Sequence, residues 1–187
     1  QYAANMTGVA RMQGLARQYG PEQLAACMRA KVSRSRDAVV EAIAELPYGT
    51  YRFEDVLDDV GPDTEPLPFR LALTVEPGRI IRTWEGTGPQ RPAGINAYMQ
   101  YTRSYCIAAI KGVTLPRSPQ NFGIIGCIEI RAPKGSYVNP NPGAASGARA
   151  VNANRIYEVV MGALAQIVPD RVIAASSGFC NPKVSGT

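Results

Sequence analysis

The sequence predicts an α+β fold, an antiparallel or mixed sheet with a β-hairpin partly covered by helices, and three observations predict it. Leu67, Phe69, Leu71, Leu73 and Val75 alternate with Pro68, Arg70, Ala72, Thr74 and Glu76, the period-two pattern of a half-buried strand. Pro77-Gly78 supplies a tight turn, so residues 79–84 return as the hairpin partner. Apolar residues at helical spacing flank this hairpin on both sides in sequence and provide the covering layer.

In chain order, residues 3–19 read as a helix stopped by Gly20, and Pro21 opens the next segment. Leu24, Met28, Val32, Val39, Ile43 and Leu46 continue near-helical spacing until Pro47. Tyr48-Gly49-Thr50 reads as a turn and residues 51–57 as extended. After the hairpin, Gly and Pro crowd residues 86–94 into a loop. Ile95, Tyr98, Met99, Thr102, Tyr105, Cys106, Ala109 and Ile110 mark an amphipathic helix. A Pro-bearing turn at 115–119 leads to a buried-type strand at 124–130, and residues 133–147 form a long connection. The last helix has Ile156, Val159, Val160, Ala163, Leu164 and Ile167 as its core face, with Asn152 or Asn154 as cap and Pro169 as stop. This is the order αα-ββ-α-β-α, a single segment that is helical over 1–47 and α+β over 48–187.

The 187 residues contain 45% apolar and 19% charged residues, a globular composition, and no histidine. The missing imidazole excludes Ser-His and Cys-His nucleophile pairs, HExxH zinc sites and an imidazole general base within the chain. The formal charge of +5 is mild, its basic residues are scattered, and the aromatics do not interleave with them as stacking platforms, so nucleic-acid binding is not expected. No apolar run reaches the length of a membrane helix, and no membrane association is expected. Cys27, Cys106, Cys127 and Cys180 lack ligand spacing; Cys27 and Cys106 fall on the apolar sides of helical patterns and Cys127 in a strand-like run, which reads as buried free thiols in a reducing cytoplasm.

Candidate chemistry is sparse. Asp58 and Asp59, with Glu54 and Asp55 nearby, carry oxygens suited to a hard cation, but adjacent residues of an extended segment point to opposite faces, and the expectation is that the chain holds no metal of its own. Gly143-Ala144-Ala145-Ser146-Gly147 precedes a helix, yet Ala148-Arg149 follows where a phosphate loop needs Lys-Ser/Thr. The compact loop Gly86-Thr87-Gly88-Pro89-Gln90 leads to Asn96, and amide side chains there suit the orientation of a small polar substrate, or else loop bonding and helix capping. No catalytic residue is identified by motif.

Several runs occur together in order: Leu46-Pro47-Tyr48-Gly49-Thr50-Tyr51, Leu57-Asp58-Asp59-Val60-Gly61, Glu85-Gly86-Thr87-Gly88-Pro89-Gln90, Ile95-Asn96-Ala97, Asn139-Pro140, Gly162-Ala163-Leu164-Ala165 and Pro169-Asp170-Arg171-Val172. This succession resembles the hydantoinase B/oxoprolinase family, which includes the B-type subunit of ATP-dependent N-methylhydantoinases and is related to the large subunit of acetone carboxylase. Thr83, Trp84, Glu85 and Gly88 depart from the family's usual Asp-Phe-Ser-Gly-Thr-Ser-Pro-Gln-like string, and Val60 replaces the third acid of its acidic triplet.

The resemblance implies that the chain is a middle section of a B-type subunit, within an ATP-dependent cyclic-amide hydrolase of the hydantoinase or 5-oxoprolinase kind. ATP and a divalent metal are implied for the full complex and none within this chain; a hydantoinase A-type subunit carries the ATP site, and the remaining parts of the B-type subunit carry metal ligands. The alternatives are a segment of an acetone-type ketone carboxylase and a non-catalytic assembly segment. Gln90, Asn96, Asp58 and Asp59 are the candidate contacts to a small-molecule substrate, and the expected compartment is cytoplasmic.

Overall fold

The computed structural model describes residues 1–58 and 65–176. Two helices open the chain, α1 (Tyr2–Tyr19) and α2 (Pro21–Ala44), separated by Gly20 at φ 79°, a conformation that suits glycine, with Pro21 at the first helical position of α2. Strands β1 (Gly49–Leu57), β2 (Leu67–Glu76) and β3 (Arg79–Thr83) follow, then helix α3 (Met99–Thr114), the single turn α4 (Phe122–Ile125), strand β4 (Ile128–Arg131) and helix α5 (Arg149–Ala165). A 3-10 turn, Pro169–Arg171, closes the described elements.

The sheet order is β1-β2-β3-β4. β1 and β2 pair antiparallel from Gly49↔Val75 to Leu57↔Leu67, and β2 and β3 pair antiparallel up to Glu76↔Arg79 around the expected turn, whose Gly78 sits at φ 73°. β4 joins β3 in parallel, Ile80 opposite Ile128, after the chain has crossed through α3 and α4. The sheet is therefore mixed, as the sequence predicts.

Alternation in β2 determines which sheet face is covered. Leu67, Phe69, Leu71, Leu73 and Val75 are all buried, and the facing positions on β1 are Leu57, Asp55, Phe53 and Tyr51. Helix α5 packs on β1 and β2, with α3 beside it. The approach is close at Gly162, where a Cβ would stand 2.5 Å from the Phe53 ring. The opposite sheet face carries Arg52, Glu54 and Arg70, with Arg70 paired to Glu54 at 3.1 Å and the Thr50 and Thr74 hydroxyls 2.9 Å apart. Such exposed pairs contribute little to stability, and their effect is to keep this face polar.

Several local expectations are corrected. The turn expected at 48–50 is already strand from Gly49, so three strands, not two, precede α3. The strand expected over 124–130 begins only at Ile128, because the Asn121 Oδ1 accepts from Gly123 N at 2.9 Å and starts the turn α4. The helix expected from Ile95 starts at Met99, since residues 95–97 are held in loop contacts, Ala97 N donating to Tyr137 O at 2.8 Å. Neither Asn152 nor Asn154 caps α5, which begins at Arg149; Asn152 is fully buried and its Nδ2 donates to Ile95 O at 2.8 Å and Tyr137 O at 2.9 Å. Cys27 is exposed, whereas Cys106 and Cys127 are buried free thiols as expected; Cys180 lies outside the described residues.

Helix α1 buries none of its residues. Tyr2, Met6, Val9, Met12, Leu15 and Tyr19, spaced by three or four residues, are all large, apolar and exposed. No described helix is long and apolar enough to cross a membrane.

Candidate functional site

Gln90 and Asn96 lie where two irregular segments, 86–98 and 133–148, are tied together. Their backbones meet through Gln90 N to Gly135 O (2.7 Å), Tyr137 N to Gly88 O (3.3 Å) and Ala148 N to Gly94 O (2.8 Å). Asn96 is fully buried and uses its amide completely: Oδ1 accepts from Arg91 N at 2.9 Å, while Nδ2 reaches Arg91 O at 2.8 Å, Ala93 O at 2.9 Å and Ala145 O at 2.7 Å. Tyr98 adds a hydroxyl bond to Ala144 O at 3.1 Å, and Thr102 one to Val138 O at 2.7 Å. Both segments lack regular partners for their backbone groups, and these side chains supply them.

Gln90 is partly exposed at the rim of this knot. Its Oε1 accepts from Asn141 N at 2.8 Å, and its Nε2 has no partner among the described residues. Asp58 stands exposed just beyond the end of β1, and Asp59 lies outside the described residues. Asp58 is thus on a different part of the fold from the knot: it follows an edge strand, while Gln90 and Asn96 follow β3. The aromatic side chains beneath the knot are buried: the Phe69 and Tyr137 rings are 5.0 Å apart, Trp84 meets Phe69 edge-on, and the Tyr137 hydroxyl donates to Pro68 O. Burial pushes the Tyr137 hydroxyl well above its ordinary pKa, so it remains a donor.

A charged group missed by sequence reasoning lies between β1 and α5. Arg155 Nη1 contacts Asp55 Oδ2 at 2.6 Å and Glu158 Oε2 at 3.3 Å. Asp55 and Glu158 face a cleft of about 290 Å3 walled by Phe53, Tyr157, Met161, Gly162 and Val172. The signal was present in the sequence: Asp55 occupies an inward register position between Phe53 and Leu57, where a carboxylate requires a partner.

Arg82 is buried without an acid. It projects from β3, is fully buried, and donates one bond, Nη1 to Cys106 O at 2.9 Å; Nε and Nη2 have no partner among the described residues. Burial lowers its pKa to about 10. The unfolded chain holds this proton more tightly, so the charged guanidinium destabilises the fold at all pH values below about 10, and the penalty fades as pH rises beyond that point. Replacement Arg82→Met should therefore stabilise the protein, by roughly 1–3 kcal/mol at pH 8, read as a higher urea midpoint. The advantage should shrink above pH 10; a lower midpoint for the variant at pH 8 would refute the reading.

Among the described residues, no group of three or more His, Cys, Asp or Glu can hold a metal ion, and the whole sequence lacks histidine. Asp55 and Glu158 are bridged by a guanidinium. The donor set does not fit the divalent metal implied for the family, and no step is assigned to one on this chain.

These features define an α+β segment in which a polar loop knot caps a half-covered mixed sheet. The chain belongs to the hydantoinase B/oxoprolinase family, whose model matches residues 1–187. It is similar to the 5-oxoprolinase of Saccharomyces cerevisiae, 27% identical over 195 residues, covering all of this chain and 14% of that protein. It is also similar to the B-type subunit of a D-/L-hydantoinase from a Pseudomonas species, 30% identical over 185 residues, covering 93% of this chain and 31% of that protein. The chain thus spans a third or less of the length of these relatives. In fold it is similar to the ATP-dependent caprolactamase of Pseudomonas jessenii, with a TM-score of 0.83, 21% identity, and coverage of 91% of this chain and 30% of that one. An acetone carboxylase structure superposes with a TM-score of 0.73 at 16% identity, over 86% of this chain and 23% of that one.

Proposed function

We propose that this chain forms part of the B-type subunit of an ATP-dependent cyclic-amide hydrolase, which opens a hydantoin- or oxoproline-like ring after a partner A-type subunit has phosphorylated its carbonyl oxygen. The observation that carries the reading is the family match along the whole chain, together with relatives whose names describe 5-oxoprolinase and hydantoinase chemistry. A ring amide is resonance-stabilised and resists water; phosphorylation of its oxygen turns that oxygen into a leaving group, which gives ATP a chemical purpose. Such consumption of ATP belongs in the cytoplasm. Histidine-dependent and metal-dependent steps fall to other parts of the assembly.

Within this reading, Gln90 is the substrate-facing candidate of the knot, because it keeps an amide donor at a partly exposed rim. Asn96 supports it from below, and Asp58 and Asp59 are assigned a more distant contact. In the complete complex, ATP turnover should depend on a cyclic amide, and Gln90→Ala should raise the KM for that amide about tenfold, the loss of one hydrogen bond. Turnover that requires bicarbonate and a ketone instead would establish the carboxylase alternative. Unchanged KM and kcat in Gln90→Ala would remove the substrate contact.

A second reading, a segment used for assembly, is favoured by α1, whose entire apolar face is exposed. An apolar stripe of this length normally meets another protein surface.

A further inference from the structure

We propose that the cleft between β1, α5 and residues 172–176 binds a small organic cation, an alkylammonium with a short unbranched chain. The site is distinct from the loop knot and does not depend on the ring-opening reading. Its walls are apolar, formed mainly by Phe53, Tyr157, Met161, Ala165 and Val172, and its volume is about 290 Å3, which admits a chain of several carbons but no large ring system. Among the described residues no Lys or Arg lines it, whereas Asp55 and Glu158 both do.

The charge balance selects the ligand. Among the described residues, Arg155 is the one cation paired with these two carboxylates, so the group carries a net charge of −1 at neutral pH. Its Nη1 is committed to Asp55 Oδ2 at 2.6 Å; Glu158 Oε2 lies farther off, at 3.3 Å, and accepts no hydrogen bond. The Glu158 side chain is only 9% exposed. Its other oxygen accepts from the backbone N–H and the hydroxyl of Ser176, which holds the covering segment over the cleft. A desolvated carboxylate oxygen without a donor is costly to leave in that state. An ammonium group entering from the cleft supplies both the missing donor and the missing positive charge, while its hydrocarbon chain lies on Phe53 and Met161. A carboxylate ligand would meet net negative charge, and a purely apolar one would leave Oε2 unsatisfied.

The test is calorimetric titration of the purified protein with n-pentylammonium chloride and with 1-pentanol at matched ionic strength. The ammonium should bind at least tenfold more tightly than the alcohol. Glu158→Gln, which keeps the shape and removes the charge, should reduce that preference to less than threefold. Ala165→Leu, which fills the cleft without touching the carboxylates, should abolish binding of both. Equal affinities for alcohol and ammonium in the parent protein, or no heat beyond that of sodium chloride, would overturn the proposal without recourse to any variant. Retention of the full preference in a folded Glu158→Gln protein would overturn it as well.

Discussion

Asn96→Ala should lower the unfolding free energy by roughly 3–5 kcal/mol and the melting temperature by about 10 °C or more. The side chain is fully buried and binds four backbone atoms of two segments, Arg91 N, Arg91 O, Ala93 O and Ala145 O. Alanine leaves all four without their partner, in a place where water reaches poorly, and the penalty for each orphaned group is about 1–3 kcal/mol before relaxation. Asn96→Asp is the informative companion. It keeps the acceptor for Arg91 N but sets a carboxylate against three carbonyl oxygens, so it should be at least as damaging as alanine. Gln90→Ala removes a single, partly exposed bond and should cost about 1 kcal/mol. Urea denaturation of the three variants orders them; an Asn96→Ala loss below about 1 kcal/mol would show that the knot holds without its amide. The same ordering explains why Gln90, and not Asn96, is the position at which to test substrate contact: loss of activity in Asn96→Ala would report a collapsed loop.

Gly123→Ala should destabilise by about 3 kcal/mol or more, through overpacking against groups that cannot yield. The added Cβ would press on Val32 O, with Arg36 N 2.8 Å away and the Asn121 Oδ1 at 3.0 Å. Two of these are backbone atoms of α2, so relief requires α4 to retreat from the helix it packs on. The Asn121 side chain, which caps α4 and also donates to the Ser35 hydroxyl at 2.8 Å, would lose its seat. Gly14→Ala supplies the contrast. Nothing lies within 4 Å of its Cβ position and it sits inside α1, so the same chemical change should stabilise the helix by about 0.5–1 kcal/mol. Matched thermal melts of the two variants separate packing from propensity; a neutral Gly123→Ala would show that α4 is not docked as described.

The elements legible in the sequence were those whose apolar pattern points at the core. Strand β2 alternates without a break, the Pro77-Gly78 turn fixes its return, and the core face of α5 reads directly from its spacing. The family, too, was legible in the ordered runs of short motifs. What escaped was governed by polar side chains acting across long sequence separations. Asn152 resembles a cap by position, but its amide is taken by Ile95 O and Tyr137 O, and the helix starts one turn earlier. Ile124 and Ile125 read as strand by composition, yet the Asn121 cap turns them into helix before β4 begins. At the candidate site, the sequence picked out Gln90 and Asn96 as amides near a helix start, and the structure shows Asn96 holding two loops together. Asp55 and Glu158 were passed over because their pairing through Arg155 joins positions far apart in the chain.

The parallel pairing of β4 with β3 has a consequence for biosynthesis. β1, β2 and β3 are consecutive and antiparallel, so they can zip together while the ribosome is still making α3. β4 has no such shortcut. Until it emerges, the Ile80 edge of the nascent sheet stays unpaired, and α3 is the first newly made element available to shield the growing core from unwanted strand exchange.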